Sequence, residues 1–248
     1  MSEMVNIKSP SGDFNAYFTK PAHSHAPAVV LLHEIWGLNE HTKDVAERLQ
    51  KEGYAVLAPD LLSNTGITNA IDQSIMKELA DPATRDEAQK KMRATTAPLL
   101  SPEFGAQTVA KLKAAFEHLS QQPFVQKNRI GVMGFCLGGT YAYALAVAEP
   151  GLAFCIPFYG HAPQPMDSVS QISCPVLAFY GRNDEPLMHE LVELERKMGK
   201  YKKRFAFHTY PNAGHAFFNN TNPVTYRKEA ASDAWQRVMR FLKPPKSK

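Results

Sequence analysis

Ile130-Gly-Val-Met-Gly-Phe-Cys-Leu-Gly-Gly139 is the stretch of sequence that decides the fold. Its apolar run, Ile130–Met133, is typical of a buried strand, and a helical pattern begins directly after Cys136. This is the pattern of a nucleophile elbow, a sharp strand-to-helix turn, with cysteine where serine is commoner. The positions two residues either side of the nucleophile are crowded, and Gly134 and Gly138 supply the small residues required there. Because a helix N-terminus stabilises negative charge, we predict that Cys136 acts as a thiolate nucleophile.

The rest of the chain repeats this alternation of strand and helix. Continuous apolar runs predict strands buried on both faces of a parallel sheet, and amphipathic segments predict helices between them. An alternating hairpin, Met4–Lys8 and Phe14–Phe18, is expected at one edge of the sheet, and Phe205–Tyr210 nearer the other. We therefore predict an α/β fold with a mostly parallel sheet and helices on both faces. The buried runs are Ala28–Leu32, Tyr54–Ala58, Ile130–Met133, Ala153–Phe158 and Val176–Tyr180.

One long connection interrupts this pattern. Residues 61–102 separate a strand from the next clear helix, and they contain a polar loop and two helical stretches. Connections of this length usually have their own structure and are often functional. We expect residues 1–248 to form one domain, with residues 61–102 as a helical excursion near the active site.

An elbow requires an acid and then a histidine, in that chain order. Asp184 follows the predicted strand Val176–Tyr180, and His215 follows the predicted strand Phe205–Tyr210. Ligand sites in open α/β sheets lie where the carboxyl ends of strands meet. We therefore predict a triad of Cys136, Asp184 and His215. The alternative acids are Asp60 and Glu185, and the alternative base is His161.

The segment His33-Glu-Ile-Trp-Gly37 directly follows the first predicted buried strand. In this architecture the loop at that place supplies one N–H of the oxyanion hole, and the residue after the nucleophile supplies the other. We predict the N–H groups of Ile35 and Leu137 as this pair. A metal site at His33 and Glu34 is the competing interpretation, but the second histidine of a helical zinc motif is absent from the sequence.

Composition excludes several other classes of function. The net charge of +4 is too small to indicate a nucleic-acid partner. Three cysteines without a metal or disulfide spacing fit a reducing compartment, and we expect Cys155 and Cys174 to be buried and inert. The sequence shows neither a signal-peptide pattern nor an apolar run of about 18 residues. We therefore expect a cytoplasmic protein without a membrane partner, either a monomer or a small homo-oligomer.

Five motifs, taken in order, resemble those of the dienelactone hydrolase family. The resemblance spans nearly the whole chain, and the pairing of a cysteine elbow with the first motif is fairly specific. It implies the α/β-hydrolase fold and hydrolysis of a small-molecule ester or lactone without a metal or an organic cofactor. The motifs are HEIWGLNEH at 33–41, APD at 58–60, GFCLGG at 134–139, GRNDEP at 181–186 and AGHAFFN at 213–219.

The resemblance also implies roles for residues outside the triad. A glutamate like Glu34 lies beside the nucleophilic cysteine and takes part in generating the thiolate. Residues like Trp36, Tyr159 and Phe217 line the substrate pocket.

The sequence departs from the family at one position that binds substrate. The family's enzyme of record hydrolyses a lactone whose carboxylate is held by two arginines. Arg85 matches one of them, but Asn219 stands where the other is expected, four residues after His215. An asparagine cannot form the charge-assisted fork that an arginine offers to a carboxylate. A broad-specificity carboxylesterase or thioesterase is therefore the alternative to a dienelactone hydrolase, and a non-catalytic ligand-binding protein on the same fold is a third interpretation.

Overall fold

The computed structural model describes residues 2–63, 65–71, 73–81 and 83–243. Eight strands and eight α-helices follow one another within these ranges. The strands are β1 Ser2–Ile7, β2 Phe14–Thr19, β3 Ala26–Leu32, β4 Ala55–Pro59, β5 Val125–Phe135, β6 Cys155–Phe158, β7 Val176–Gly181 and β8 Phe205–Tyr210. The helices are α1 Glu40–Lys51, α2 Ile67–Ala70, α3 Gln73–Ala80, α4 Arg85–Thr96, α5 Pro102–Ser120, α6 Leu137–Ala148, α7 Glu185–Lys200 and α8 Lys228–Leu242.

All eight strands belong to one sheet, in the order β1-β2-β4-β3-β5-β6-β7-β8. The pairs β1–β2 and β2–β4 are antiparallel, and every pair from β4–β3 to β7–β8 is parallel. The predicted N-terminal hairpin forms one edge, and the predicted strand at Phe205–Tyr210 forms the other. The continuous apolar runs form the inner strands. These strands are covered by helices on both faces, so consecutive side chains on either face are buried.

The helices lie on both faces of the sheet. The direction in which successive strands are added to the sheet reverses at β3, since β4 lies on one side of β3 and β5 lies on the other. Right-handed crossovers therefore place α1 on one face and α6 on the opposite face. Helix α5 packs against α6, whereas α8 lies beside α1, where the guanidinium of Arg48 is 4.0 Å from the centre of the Trp235 ring. The prediction of a mostly parallel sheet between two helical layers is confirmed.

The helical patterns at Thr108–Gln121 and Pro223–Phe241 predict two helices that begin elsewhere in the structure. Helix α5 begins at Pro102, six residues before Thr108, because Ser101 accepts a hydrogen bond from the N–H of Phe104 at 3.1 Å and caps the first turn. Helix α8 begins only at Lys228, because the N–H of Arg227 is committed to the carbonyl of Phe217 at 2.9 Å.

Helices α2 to α4, which we call the cap, carry a hydrophobic cluster separate from the main core. The predicted helical excursion at 61–102 is thus helical, and part of its predicted polar loop forms α2. The cap cluster packs against Ile35, Trp36 and Leu137, which flank the predicted nucleophile. Its buried members are Leu62, Ile67, Ile71, Ile75, Ala88 and Leu99.

No helix within the described ranges is long and apolar enough to cross a membrane.

Candidate active site

The structure brings Cys136, Asp184 and His215 to one edge of the sheet. Cys136 directly follows β5, Asp184 follows β7, and His215 lies on the loop after β8. These three strands are parallel, so their carboxyl ends meet at the same edge. Each of the three residues lies at most five positions after the end of its strand, so the strand ends determine where the three side chains lie.

The turn at Cys136 has the backbone of an elbow. Its φ of 54° and ψ of −116° lie where residues other than glycine are rare. A Cβ at Gly134 would collide with the carbonyl of Gly138, and a Cβ at Gly138 would collide with the carbonyl of Leu32. The N–H of Cys136 donates to the carbonyl of Phe158 at 3.0 Å, which ties the elbow to β6. The predicted need for two glycines around the nucleophile is therefore a consequence of close backbone packing.

His215 bonds one other member of the predicted triad and lies close to the second. Its Nδ1 lies 2.7 Å from Oδ2 of Asp184. Burial lowers the pKa of His215, but the nearby Cys136 sulfur and the bond with Asp184 together outweigh the effect of burial. The pKa of His215 therefore lies well above its usual value, and the imidazolium is the favoured form.

Glu34 is a buried carboxylate held by two neutral donors. Only 2% of the residue is exposed. The hydroxyl of Tyr159 donates to Oε1 at 2.9 Å, and Nδ2 of Asn219 donates to Oε2 at 2.6 Å. Burial and the adjacent Glu34 carboxylate raise the pKa of Tyr159, so the phenol keeps its proton and remains a donor. The ring of Tyr159 also packs against His215, with centroids 5.1 Å apart, so Glu34 and the predicted triad share one neighbour.

The two predicted oxyanion donors lie on adjoining segments. Leu137 is the first residue of α6, where a backbone N–H has no partner within the helix. Ile35 lies in a turn closed by the N–H of Gly37, which donates to the carbonyl of Glu34 at 3.2 Å. The N–H of Gly138 donates to the carbonyl of His33 at 3.1 Å and joins the two segments directly. Both donors therefore belong to one hydrogen-bonded unit beside the elbow.

The remaining predicted substrate-binding residues occupy different environments. Trp36 is half-buried against the cap cluster. Tyr159 and Phe217 are wholly buried and pack on each other, with ring centroids 5.5 Å apart, so they support the site from beneath. Arg85 is exposed at the start of α4, and its Nε donates to the carbonyl of Leu79 at 3.1 Å within the cap.

The alternative base and the two alternative acids have the following positions in the structure. Nδ1 of His161, the alternative base, lies 2.7 Å from Oε2 of Glu190, which is none of the three candidate acids. Asp60 lies 3.6 Å from His33. Glu185 is the first residue of α7 and is exposed.

Two buried histidines near the site, His33 and His41, have hydrogen-bond partners that the sequence did not predict. The ring of His33 links two backbone segments. Its Nδ1 lies 2.5 Å from the carbonyl oxygen of Glu34, and its Nε2 accepts a hydrogen bond from the N–H of Leu61 at 2.9 Å. His41 is 1% exposed, and its Nδ1 lies 3.2 Å from Oδ1 of Asn220. The sequence signal for Asn220 was only a pair of asparagines after the predicted base, a pattern that is common in loops.

The other two cysteines are free and buried. Burial raises the pKa of the Cys174 thiol to about 11, and it also raises the pKa of the Cys155 thiol well above its usual value. Both thiols are thereby kept protonated, in agreement with the prediction that they are inert. Within the part of the chain that the structure describes, no three His, Cys, Asp or Glu side chains converge as metal ligands.

The sheet order and the elbow define the class to which this protein belongs: it is an enzyme of the α/β-hydrolase fold. The chain belongs to the dienelactone hydrolase family, whose model matches residues 14–245. It is therefore a hydrolase that acts on ester or lactone bonds.

Relatives and solved structures agree with this assignment. A protein of Saccharolobus solfataricus named "Putative carboxymethylenebutenolidase" is 35% identical over 260 residues, covering 98% of each chain. A Bradyrhizobium protein named "Probable 2-oxo-3-(5-oxofuran-2-ylidene)propanoate lactonase" is 30% identical over 256 residues, covering 97% of this chain and 93% of its own. A crystal structure described as a "Putative Dienelactone Hydrolase", from Klebsiella pneumoniae, superposes with a TM-score of 0.81 at 25% identity, covering 98% of both chains.

Proposed function

We propose that this enzyme hydrolyses esters and lactones by acyl transfer through a thioester on Cys136, with His215 as base and Asp184 as its orienting acid. The observation that supports the proposal is the position of His215, which is hydrogen-bonded to Asp184 at 2.7 Å and lies at the same carboxyl edge of the sheet as the Cys136 elbow. A histidine in this arrangement can take the thiol proton and hold the resulting ion pair in place.

The reaction proceeds in two halves. The Cys136 thiolate attacks the carbonyl carbon, and the oxyanion accepts hydrogen bonds from the N–H groups of Ile35 and Leu137. The carbon–oxygen bond to the leaving alcohol then breaks, and the imidazolium of His215 supplies its proton. Water attacks the thioester carbonyl while His215 accepts a proton from the water. The carbon–sulfur bond then breaks, which releases the acid and regenerates the Cys136 thiolate. For a lactone, the leaving alcohol stays attached to the product.

Glu34 is part of the same site in this proposal. Burial, the Glu34 carboxylate and the Cys136 sulfur together raise the pKa of the Tyr159 phenol. A buried carboxylate close to a thiol influences how readily the thiol loses its proton. The family resemblance gives a residue like Glu34 a role in generating the thiolate, and we adopt that role here.

The chemistry of sulfur narrows the substrate class. A thiolate is a strong nucleophile but also a good leaving group, so a tetrahedral intermediate with a poor alkoxide leaving group reverts to reactants. We therefore propose activated or strained substrates, such as enol lactones and aryl esters.

A broad-specificity carboxylesterase or thioesterase is the second candidate. The observation that favours it is the orientation of Asn219, whose amide donates to Glu34 and not toward a bound substrate. Recognition of a carboxylate-bearing lactone would then depend on other residues, among which we propose Arg85. Trp36 on the cap side is proposed as a pocket residue for either substrate class.

The test is hydrolysis of p-nitrophenyl acetate by the wild-type enzyme, Cys136→Ala and the control Cys174→Ala, which removes a buried thiol away from the site. We expect Cys136→Ala to lose activity by about a thousandfold or more and the control to retain it. The rate with cis-dienelactone then decides between a lactone specialist and a broad esterase. Equal inactivity of all three proteins while an ester still binds would favour the ligand-binding interpretation instead.

A further inference from the structure

Asn219 occupies an environment that fixes the orientation of its side-chain amide. The residue is 3% exposed. Its Oδ1 accepts two hydrogen bonds from Thr221, one from the backbone N–H at 3.0 Å and one from the hydroxyl at 2.7 Å. A backbone N–H can only donate, so the oxygen of the amide must face Thr221. The NH₂ group is thereby directed at Glu34.

The consequence for Glu34 is a defined geometry at both oxygens. Asn219 donates to Oε2 at 2.6 Å, and Tyr159 donates to Oε1 at 2.9 Å. Two donors on different oxygens fix both the position and the rotation of the Glu34 carboxylate. Tyr159, which holds Oε1, also packs its ring against His215, with centroids 5.1 Å apart, so the carboxylate and the proposed base share one support. Removing a donor would leave one carboxylate oxygen free to turn away from this position.

Successive hydrogen bonds polarise one another, so the bond from the Thr221 hydroxyl strengthens the bond from Asn219. The chain of contacts thus begins at a hydroxyl that touches neither Cys136 nor Glu34. It ends at the carboxylate beside the nucleophile.

We propose that Thr221 and Asn219 form a positioning relay that holds Glu34 and sustains the reactivity of the Cys136 thiolate. This inference rests on the proposed function, because it assigns the relay to the same cysteine. Neither residue contacts the reacting atoms, so both are positioning residues and not catalytic ones.

The relay is tested first without substrate, by the rate at which iodoacetamide alkylates Cys136 at fixed pH. We expect Thr221→Val to slow alkylation about threefold and Asn219→Ala about tenfold, because Glu34 no longer keeps the fixed position from which it assists formation of the thiolate. Thr221→Ser keeps the hydroxyl and should restore the wild-type rate. Esterase kcat should fall in parallel with alkylation, whereas KM should change little.

Asn219→Asp supplies a sharper signature. Two carboxylates would then face each other, and the new one becomes a donor only when it is protonated. We expect the ratio of variant to wild-type alkylation rate to rise as pH falls. A residue that merely stabilises the loop would not produce this pH dependence.

The matched controls lie on the same loop. Asn222→Ala removes an asparagine whose Oδ1 accepts from the N–H of Val224 at 3.1 Å, and Thr225→Val removes a hydroxyl that donates to the carbonyl of Ala216 at 3.3 Å. Both should alkylate at the wild-type rate. The proposal is overturned if Thr221→Val and Asn219→Ala lower the melting temperature but leave alkylation unchanged, or if the controls slow it equally. A wild-type enzyme that alkylates as described but hydrolyses no ester would refute the proposed function and leave the relay standing.

Discussion

Nδ1 of His215 lies 2.7 Å from Oδ2 of Asp184, and this bond joins the loops that follow the last two strands of the sheet. The acid is mostly buried, with 10% of its side chain exposed, whereas 43% of the histidine side chain is exposed. Asp184 therefore holds the ring from the protein side, and under the proposed function the exposed part of the ring faces the substrate.

The pH dependence of activity follows from this arrangement. The pKa of His215 is raised well above its usual value despite the lowering effect of burial, so its imidazolium persists at neutral pH. We expect kcat/KM to hold into alkaline pH and to fall only as the pH rises through this raised pKa. In Asp184→Asn the pKa of His215 should drop, and the alkaline limb should move to lower pH, with activity reduced about a thousandfold or more. Identical alkaline limbs in both proteins would argue against the assignment of Asp184.

His41 should make the folded protein sensitive to acid. Burial lowers the pKa of His41 from its usual 6.5, and the partial compensation by Glu34 and by the bond with Asn220 does not reverse this. A histidine with a depressed pKa leaves stability intact above about pH 6.5 and reduces it as pH falls toward the folded-state pKa, because only the unfolded chain binds the proton readily. Each unit of depression corresponds to about 1.4 kcal/mol.

The measurement is the free energy of unfolding at pH 7.5 and at pH 5.5. His41→Phe keeps an aromatic ring against Phe135 and Phe218, and we expect it to lose less stability between the two values than the wild-type enzyme does. The exposed His189 serves as the control, since His189→Gln should retain the wild-type acid sensitivity. An unchanged difference in His41→Phe would show that other groups cause the acid effect.

Two helical glycines should respond in opposite directions to substitution by alanine. A Cβ at Gly139 would collide with the carbonyl oxygen of Phe158 and crowd the backbone of Gly160 at 3.0 Å, whereas a Cβ at Gly199 would meet nothing within 4 Å. We expect Gly139→Ala to lower the free energy of unfolding by about 2 kcal/mol and Gly199→Ala to raise it by about 0.5 kcal/mol. Thermal denaturation checks both, and a stable Gly139→Ala would mean that β6 and α6 can separate more easily than their packing indicates.

The order of elements and the edge on which the site lies could be predicted from the sequence. Buried parallel strands have continuous apolar runs, and the elbow glycines at 134 and 138 are dictated by local crowding around Cys136. Asp184 and His215 could be placed because each is only a few residues from a strand end. Local rules were sufficient wherever a residue's position depends on its immediate neighbours in the chain.

The partners of Glu34 could not be predicted in this way. Asn219 is 185 residues away in sequence, and its contact with Glu34 depends on the strand order and on the path of the loop after β8. In the sequence, Asn219 was notable only because an arginine was expected at its position. Its hydrogen bond to Glu34 could be recognised only from the fold. The early start of α5 was missed for a different reason, since its first turn rests on a serine cap and a proline rather than on an apolar face.

Among the described residues, the cap has its own apolar cluster and packs against the elbow region through Ile35, Trp36 and Leu137. Under the proposed function, a substitution inside the cap changes the surface that a substrate meets and leaves the strands that position Cys136 in place. Substrate specificity and bond cleavage then depend on different segments of the chain. Substitutions in α2 to α4 can change which substrates are accepted during evolution while the reaction stays the same.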